Sequence, residues 1–262
     1  MNAATSTSIR YLKFEHDHWE PVENGIISEA SVDLMVNGDL WISLMCTPTR
    51  LEQLAVGFLF NEGVIESYDE VSIVRPCDDL TNIDVWLKTD VQSPAPWRRT
   101  SGCGGGSTQV SLIEHAKPIP IVEKVDPDQI LKLMEKLVKS QELYHEVHGV
   151  HASLLTDGLE VCAIAEDIGR HNTLDKIAGQ MLMAGYPNEK WIILTTGRIS
   201  SEMLQKSARM GAYLVVSRTS PSSMSVKLAQ QLGITLVGYA RGEHFNVYSY
   251  PERLGGSAVQ SD

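Results

Sequence analysis

The chain has 262 residues, of which 43% are hydrophobic and 21% charged, and its formal net charge at pH 7 is −11. These proportions are typical of a globular protein with one or two domains, and they exclude wholesale disorder and a miniature fold held by disulfides. Because the negative charge repels phosphate backbones, we expect no general affinity for nucleic acid and no basic face for a membrane surface.

No apolar run approaches the roughly 20 residues needed to cross a bilayer, and the N-terminal region contains no signal-peptide core. We therefore expect a cytoplasmic protein without a membrane segment. In that reducing compartment the cysteines are expected to be free thiols, and no Cys-x-x-Cys pair indicates a protein-ligated metal. The four cysteines are Cys46, Cys77, Cys103 and Cys162.

The first part of the chain is predicted to form a small α+β unit over residues 28–122, behind a loosely ordered polar arm at residues 1–27. Asn37-Gly38 joins two alternating apolar runs, and its tolerance of positive φ favours a type I′ hairpin turn. Thr47-Pro48 then supplies a capping hydroxyl and an N-terminal proline for a helix that ends at Gly63. The predicted strands of this unit lie at 31–36, 40–45, 71–74 and 83–87.

The second part, residues 123–262, alternates strands with helices, which predicts a mostly parallel sheet covered by helices. A segment rich in Pro, Gly and Ser, from Thr89 to about Val122, separates the two parts and indicates a long loop. Asp126-Pro127 restarts regular structure as a helix N-cap and first helical residue. The predicted helices lie at 126–144, 172–184, 201–210 and 222–232, and the predicted strands at 150–155, 160–165, 191–195, 213–217 and 234–239.

Cys103 lies in the most unusual stretch of the chain, between Arg98-Arg99 and a run of three glycines. Flanking glycines would leave the sulfur accessible, and the two arginines would favour the thiolate over the thiol. The other three cysteines belong to apolar strands or precede aspartates, which disfavours a thiolate. Cys103 is therefore the candidate nucleophile, although on composition alone a Gly/Ser linker with an incidental cysteine is the more common case.

Two predicted strand-to-helix connections, residues 166–172 and 195–200, combine charged or hydroxyl side chains with glycine. Loops at the carboxyl ends of parallel strands are where α/β proteins bind ligands, and helix N-termini attract anions. Helix-capping carboxylates and a tight turn with an exposed arginine remain alternatives. His148 and His151 either face this region or are core histidines, and the core interpretation is preferred. The candidate ligand residues are Gly169, Arg170, His171, Gly197 and Arg198.

The segment after the last predicted parallel strand is a third candidate. Gly242 would let a ligand approach the main chain, and Arg241 and His244 could meet a phosphate. The alternative is a final edge strand whose apolar residues fill the core. The candidate residues are Tyr239, Ala240, Arg241, Gly242, Glu243 and His244.

With these segments the chain resembles the formate dehydrogenase accessory sulfurtransferase (FdhD) family, from about Glu29 to Leu254. The order of the matching pieces along the chain makes coincidence a poor explanation. They are Val36-Asn37-Gly38, Leu54–Leu59 with Glu62-Gly63, Gly102-Cys103-Gly104, Gly149–Ala152, Glu166–Asn172, Thr196–Ser200, Phe245–Tyr248 and Pro251–Leu254.

The resemblance implies a cytidine-deaminase-like three-layer α/β domain with a mostly parallel sheet, joined to the smaller N-terminal α+β domain. The zinc chemistry of deaminases is not implied, because His151 is followed by Ala152-Ser153 and not by x-Glu. The second zinc motif, Pro-Cys-x-x-Cys, is incomplete after Pro76-Cys77.

The resemblance also implies a sulfur carrier and a homodimer. In this family a loop cysteine, matched by Cys103, takes persulfide sulfur from a cysteine desulfurase. It passes the sulfur to the molybdenum or tungsten bis-pterin guanine dinucleotide cofactor of formate dehydrogenase, which is bound as a substrate. The candidate residues at 169–171, 197–198 and 239–244 would hold that cofactor.

Gly106 departs from the family, whose loop usually reads Cys-Gly-x-Cys. A two-thiol mechanism is therefore excluded within one chain, and a single-cysteine persulfide relay is the expectation. Two alternatives stay open. One is a cofactor-binding chaperone without covalent sulfur transfer. The other is a hydrolase built from Cys103, His151 and a carboxylate such as Asp167.

Overall fold

The computed structural model describes residues 5–93, 118–120 and 123–257. Within these residues the chain forms twelve strands in three sheets, together with six α-helices. The strands are β1 Ser6–Glu15, β2 His18–Ile27, β3 Ala30–Val36, β4 Asp39–Cys46, β5 Val71–Pro76, β6 Asn82–Leu87, β7 His151–Thr156, β8 Val161–Asp167, β9 Trp191–Thr195, β10 Ala212–Ser217, β11 Thr235–Arg241 and β12 His244–Ser249. The helices are α1 Leu51–Asn61, α2 Pro127–Lys139, α3 Glu142–Val147, α4 Arg170–Met183, α5 Ser201–Arg209 and α6 Ser223–Leu232.

The first two strands form a long antiparallel hairpin where the sequence predicts a loosely ordered arm, so the prediction of irregular structure is wrong. β1 and β2 pair along their full length, from Ser6 opposite Ile27 to Glu15 opposite His18. Nearly all of their side chains are exposed. A hairpin that packs on no core needs no alternation of apolar and polar residues, which is why the pattern did not reveal it.

The four-stranded sheet has the order β4-β3-β6-β5 and carries α1 on its inner face. Asn37 and Gly38 have φ values of 50° and 91°, which confirms the type I′ turn between β3 and β4. α1 begins at Leu51, later than the start predicted at Thr47-Pro48. The Thr47 hydroxyl accepts a hydrogen bond from the Ile168 amide at 3.1 Å, so it serves the loop after β8 and not the helix.

The six-stranded sheet has the order β12-β11-β10-β9-β7-β8 and is mixed. β9, β10 and β11 are parallel neighbours, whereas β7–β8, β7–β9 and β11–β12 are antiparallel pairs. The prediction of a mostly parallel sheet is therefore wrong. Short turns join β7 to β8 and β11 to β12, and a short connection can join only antiparallel strands. β12 confirms the alternative of a final edge strand.

Helices cover both faces of the six-stranded sheet. α2 packs on one face, and α4, α5 and α6 pack on the other. The strand side chains alternate accordingly: Ile192 and Leu194 join the cluster around α2, and Ile193 joins the opposite one. This arrangement confirms the predicted α/β class, and the cytidine-deaminase-like assignment stays a prediction.

The two parts of the chain share one core. α1 crosses α4 at Gly57 and Gly179, where a Cβ atom on Gly57 would lie 1.8 Å from the carbonyl oxygen of Asp175. Only glycine permits so close an approach of two backbones. The division into two domains, with a boundary between residues 122 and 123, stays a prediction.

Candidate functional site

Four strands end at the same edge of the six-stranded sheet, which we name the strand-end edge. β8, β9, β10 and β11 all point toward it, because β8 runs parallel to β9 across the intervening β7. α4, α5 and α6 begin soon after β8, β9 and β10, so their N-termini lie there too, with the partial positive charge that attracts anions. The strand-end edge comprises residues 167–171, 195–200, 217–222 and 239–241.

Each of these four strand ends carries one arginine. Arg170 follows β8, Arg198 follows β9, Arg218 follows β10, and Arg241 is the last residue of β11. Arg170 is partly buried, and the other three are exposed. In a chain with a net charge of −11, this concentration of guanidinium groups favours an anion at the strand-end edge.

The two predicted strand-to-helix segments meet at Gly197. A Cβ atom there would lie 3.0 Å from the Cβ atom of Arg170 and 3.4 Å from Nδ1 of His151. His151 is half-buried and lies beside the strand-end edge, and the choice between a core histidine and a site residue stays a prediction. Burial and the positive charges of Arg170 and Arg198 lower the pKa of His151 below its ordinary value of 6.5, so its imidazole is neutral at pH 7.

Glu166, the first carboxylate of its segment, caps a helix and does not face the strand-end edge. It accepts hydrogen bonds from the Leu143 and Tyr144 amides, each at 2.9 Å. The helix predicted over residues 126–144 is instead two helices, α2 and α3, and this contact fixes the start of the second. The alternative of a helix-capping carboxylate is confirmed for Glu166.

Asp167 forms a fully buried ion pair with Lys176, with 2.6 Å between Oδ2 and Nζ. Its carboxylate also accepts hydrogen bonds from the Thr47 and Gly169 amides and from the Asn172 side chain. These contacts fix the start of α4 against the loop between β4 and α1. They engage both carboxylate oxygens, which disfavours Asp167 as the carboxylate of the hydrolase alternative.

His171 lies beneath the strand-end edge, with only 3% of its surface exposed. Its Nε2 atom is 3.3 Å from a carboxylate oxygen of Glu202 and 3.4 Å from the Ser200 hydroxyl. Burial, together with the charges of Lys206 and Arg170, lowers the pKa of His171 to about 3, so the imidazole is neutral. The side chain therefore orients the start of α5 and leaves only its backbone to a ligand at the edge.

The hydroxyls around Gly197 hold the loop in place. The Gly197 amide donates to the Thr195 hydroxyl at 3.2 Å, and its carbonyl accepts from the Ser217 hydroxyl at 2.7 Å. The Ser200 hydroxyl caps α5. These hydroxyls therefore have structural roles, and the exposed Arg198 is the charged side chain of the segment that an anion can reach.

Residues 239–244 span the end of β11, the turn and the start of β12. Tyr239 has a φ of 56°, in the left-handed region that a bulky aromatic residue rarely adopts. Its amide donates to the Thr219 carbonyl at 2.9 Å, and the Arg241 guanidinium lies 6.0 Å from the centre of its ring. Strained residues of this kind concentrate at binding sites.

A groove of about 590 Å³ separates the β11–β12 hairpin from α2. This volume suits a ligand of nucleotide size. Tyr239 and His244 are not among its lining residues. Arg218, Ala240 and Arg241 of the strand-end edge line it, together with Gly242 and Glu243 of the turn between β11 and β12. α2 adds charged side chains that include Asp128, Lys132, Glu135 and Lys139.

Arg218 lies at the strand-end edge and lines the groove, although no motif in the sequence singles it out. Its signal is positional: like Arg170 and Arg198, it lies between the end of a strand that points toward the strand-end edge and the N-terminus of the next helix. A search for one repeated residue type at successive strand ends would have found it.

Cys103 lies outside the described residues, so its prediction as the nucleophile stays a prediction. Burial and the nearby Asp167 raise the pKa of Cys46 to about 12, and burial raises the pKa of Cys162. Both are poor nucleophiles at neutral pH.

Two further features can be stated for the part of the chain that the structure describes. It contains no grouping of three His, Cys, Asp or Glu side chains arranged to hold a metal ion. None of its helices combines the length and the apolar character that crossing a membrane requires.

Comparison with known proteins gives consistent matches over nearly the whole chain. The model of the FdhD/NarQ family matches residues 27–255. The sulfur carrier protein FdhD of Bacillus licheniformis is 33% identical over 260 residues, which cover 97% of this chain and 99% of the relative. That of Bacillus subtilis is 32% identical and covers 92% and 95%. A crystal structure from Desulfotalea psychrophila, described as a formate dehydrogenase accessory protein, superposes with a TM-score of 0.82 at 28% identity, covering 95% and 99%.

Proposed function

The chain belongs to the FdhD/NarQ family, and on that premise we propose that it is a sulfur carrier that activates a formate dehydrogenase. Relatives that match nearly its full length are named sulfur carriers, and a similar solved structure is described as a formate dehydrogenase accessory protein. The proposal includes a cytoplasmic location, where thiols stay reduced, and a homodimeric state.

The proposed carrier is Cys103. Its thiolate attacks the outer sulfur of a persulfide on a cysteine desulfurase, the desulfurase cysteine leaves as a thiolate, and Cys103 becomes the persulfide. The outer sulfur then passes to the substrate, the molybdenum or tungsten bis-pterin guanine dinucleotide cofactor: the S–S bond breaks, Cys103 leaves as a thiolate, and the metal of the substrate supplies the two electrons that reduce the transferred sulfur to sulfide. Two observations support this choice: Arg98-Arg99 precede Cys103 closely, and the thiols of Cys46 and Cys162 have raised pKa values.

The proposed binding site for that cofactor is the strand-end edge with its adjoining groove. The observation that carries this proposal is the arginine at each of the four strand ends. Guanidinium groups beside helix N-termini suit the phosphates of a guanine dinucleotide. The residues proposed for cofactor binding are Gly169, Arg170, the backbone of His171, Gly197, Arg198, Arg218 and residues 239–244.

Transfer of labelled sulfur tests the function. The purified chain is incubated with a cysteine desulfurase and radiolabelled cysteine, and the protein-bound label that a reductant removes is counted. We expect Cys103→Ser to lose the label. Cys162→Ser, which changes a partly exposed cysteine of β8, is the matched control and should keep it. Label retained by Cys103→Ser would overturn the assignment of the carrier.

Gly106 favours a second candidate function, that of a cofactor-binding chaperone without covalent sulfur transfer. Such a chaperone would activate formate dehydrogenase equally well with Cys103→Ser as with the wild-type chain. Gly106→Cys separates the two functions further, because it restores the cysteine pair usual in the family. A carrier limited by its single cysteine should transfer sulfur faster with this change, and a chaperone should not respond.

A further inference from the structure

His151 is the first residue of β7, and its strand brings it to the strand-end edge. β7 runs antiparallel to β8 and to β9, so β7 begins where those two strands end. The side chains of β7 alternate between the faces of the sheet: Ala152 and Leu154 join the cluster around α2, whereas the Ser153 hydroxyl lies 2.6 Å from that of Thr173 in α4. The His151 side chain therefore points to the α4 face, like that of Ser153.

The imidazole of His151 lies beside two of the strand-end arginines. Gly197, which directly precedes Arg198, marks the close approach: a Cβ atom there would lie 3.4 Å from Nδ1 of His151 and 3.0 Å from the Cβ atom of Arg170. α4 and α5 both begin here, with the partial positive charge of their N-termini. The imidazole is therefore part of a surface on which an anion gains from several positive groups at once.

The fold makes no use of the His151 ring. The side chain is half-buried, yet neither ring nitrogen is hydrogen-bonded to any other residue of the described ranges. His171, which lies nearby in α4, differs, because its Nε2 atom lies 3.4 Å from the Ser200 hydroxyl. Burying a polar ring without a hydrogen bond is unfavourable, so the His151 ring is better explained by a ligand than by the fold.

The other ionisable groups near His151 have partners of their own within the protein. Asp167, the cross-strand neighbour of His151 on β8, forms the buried ion pair with Lys176. At the start of α5, a carboxylate oxygen of Glu202 lies 3.3 Å from the neutral His171. The net charge that faces the His151 ring therefore comes from the two arginines, and it favours the neutral ring while no anion is bound.

We infer that His151 is a phosphate-binding residue of the strand-end edge, whose protonated ring donates a hydrogen bond to a phosphate that Arg170 and Arg198 also contact. The inference rests on the proposed function, because it takes the guanine dinucleotide as the ligand. The phosphate charge offsets the charge of the guanidinium groups and favours the imidazolium. Binding therefore takes up a proton, which passes from the buffer to the free ring nitrogen.

This proton uptake makes the affinity for the dinucleotide depend on pH. In the free chain the pKa of His151 lies below its ordinary value of 6.5, and the bound phosphate raises it. Between these two pKa values the complex holds a proton that the free chain does not hold, so the affinity rises as the pH falls through this interval. We expect the affinity at pH 6 to be about fivefold higher than at pH 8.

Calorimetric titration with diguanosine pyrophosphate, in which two guanosines are joined through a pyrophosphate, tests the inference. Both phosphates of this probe are diesters, so their negative charge stays fixed near neutral pH. Titrations at pH 6.5 in two buffers with different heats of ionisation give the number of protons taken up for each bound dinucleotide. The wild-type chain should take up about half a proton, because His151 changes from mostly neutral to at least half protonated.

His151→Gln should take up no proton and should bind with the same affinity at pH 6 and pH 8. His145→Gln removes an exposed histidine of α3 and, as the matched control, should behave like the wild-type chain. Proton NMR of the wild-type chain adds a measurement that depends on no variant: the ring signal of His151 should titrate at a higher pH in the complex than in the free chain.

The possible failures of the inference and of the proposed function are distinguishable. A wild-type chain that binds the dinucleotide without proton uptake, or a His151 ring whose pKa does not rise on binding, would overturn the role of His151 and leave the binding site standing. A wild-type chain that does not bind the dinucleotide would overturn the proposed site itself, and the role of His151 with it.

Discussion

Arginine side chains lie at both ends of the parallel strands in the six-stranded sheet, and they have different roles at the two ends. At the edge where the parallel strands begin, Arg253 is fully buried and donates hydrogen bonds to the carbonyls of Gly233 and Pro120, at 2.8 and 3.0 Å. At the strand-end edge, Arg198 and Arg218 are exposed, and their side chains form no hydrogen bond or ion pair with another described residue.

This difference separates an arginine that the fold requires from arginines that the fold leaves available. Arg253 fixes residues 118–120 to the start of β11, so its role is to stabilise the fold. Exposed charges contribute little to the free energy of unfolding. Arg198 and Arg218 are therefore better explained by a ligand than by the fold.

Replacing Arg253 is expected to have the largest effect on stability. Arg253→Met leaves buried carbonyl groups without a donor and should lower the free energy of unfolding by about 3 kcal/mol. Arg198→Met should change it by less than about 0.5 kcal/mol. Urea denaturation of both variants checks this prediction. An equal decrease in the free energy of unfolding would contradict the different roles of Arg253 and Arg198.

His171 should make the stability of the chain depend on pH. Its pKa of about 3 in the folded chain lies below the ordinary value of 6.5, so between these values the unfolded chain binds a proton that the folded chain does not. The contribution of neutral His171 to the free energy of unfolding is fully present above pH 6.5, and the free energy of unfolding should be about 2 kcal/mol lower at pH 5. His151, whose pKa is also lowered, acts in the same direction.

Denaturation of His171→Gln between pH 7 and pH 5 tests this linkage. The variant should lose less stability over this range than the wild-type chain. Identical pH dependence would mean that folding does not shift the pKa of His171, and this result would contradict the effect of burial on the imidazole.

Gly197→Ala should lower the free energy of unfolding less than Arg253→Met does and less than acidification to pH 5 does. The new Cβ atom would lie 3.0 Å from that of Arg170, so Arg170 must shift, at a cost of about 1 kcal/mol. If Arg170 contacts the bound phosphate, affinity for pyrophosphate should fall by a factor of about five. Unchanged affinity in a calorimetric titration would mean that Arg170 does not contact the bound pyrophosphate.

Features with a local cause could be predicted from the sequence. The turn at Asn37-Gly38 follows from the φ preferences of its two residues, and the order from β9 to β11 follows from alternating apolar strands and amphipathic helices. The joint location of Gly169 and Gly197 follows in turn, because the strands before them end at the same edge.

Features that depend on distant contacts could not be predicted. Lys176 is a helical lysine that periodicity assigns to the surface, yet its ammonium group is buried against Asp167 and the Thr47 carbonyl. The arm at residues 6–27 has no core to impose a pattern on it. The location of Arg218 near Arg198 and Arg241 depends on the order of the strands that precede these residues, and this order is a long-range feature.

Calorimetric titration with guanosine diphosphate tests the central claim most directly, that the strand-end arginines serve a ligand. The account predicts that the wild-type chain binds and that Arg198→Ala and Arg218→Ala each lose about tenfold or more in affinity, since a hydrogen bond to a charged group contributes about 1.5–3 kcal/mol. Arg75→Ala, at an exposed position of β5, should bind like the wild type. A wild-type chain that does not bind, or strand-end variants with undiminished affinity, would contradict it.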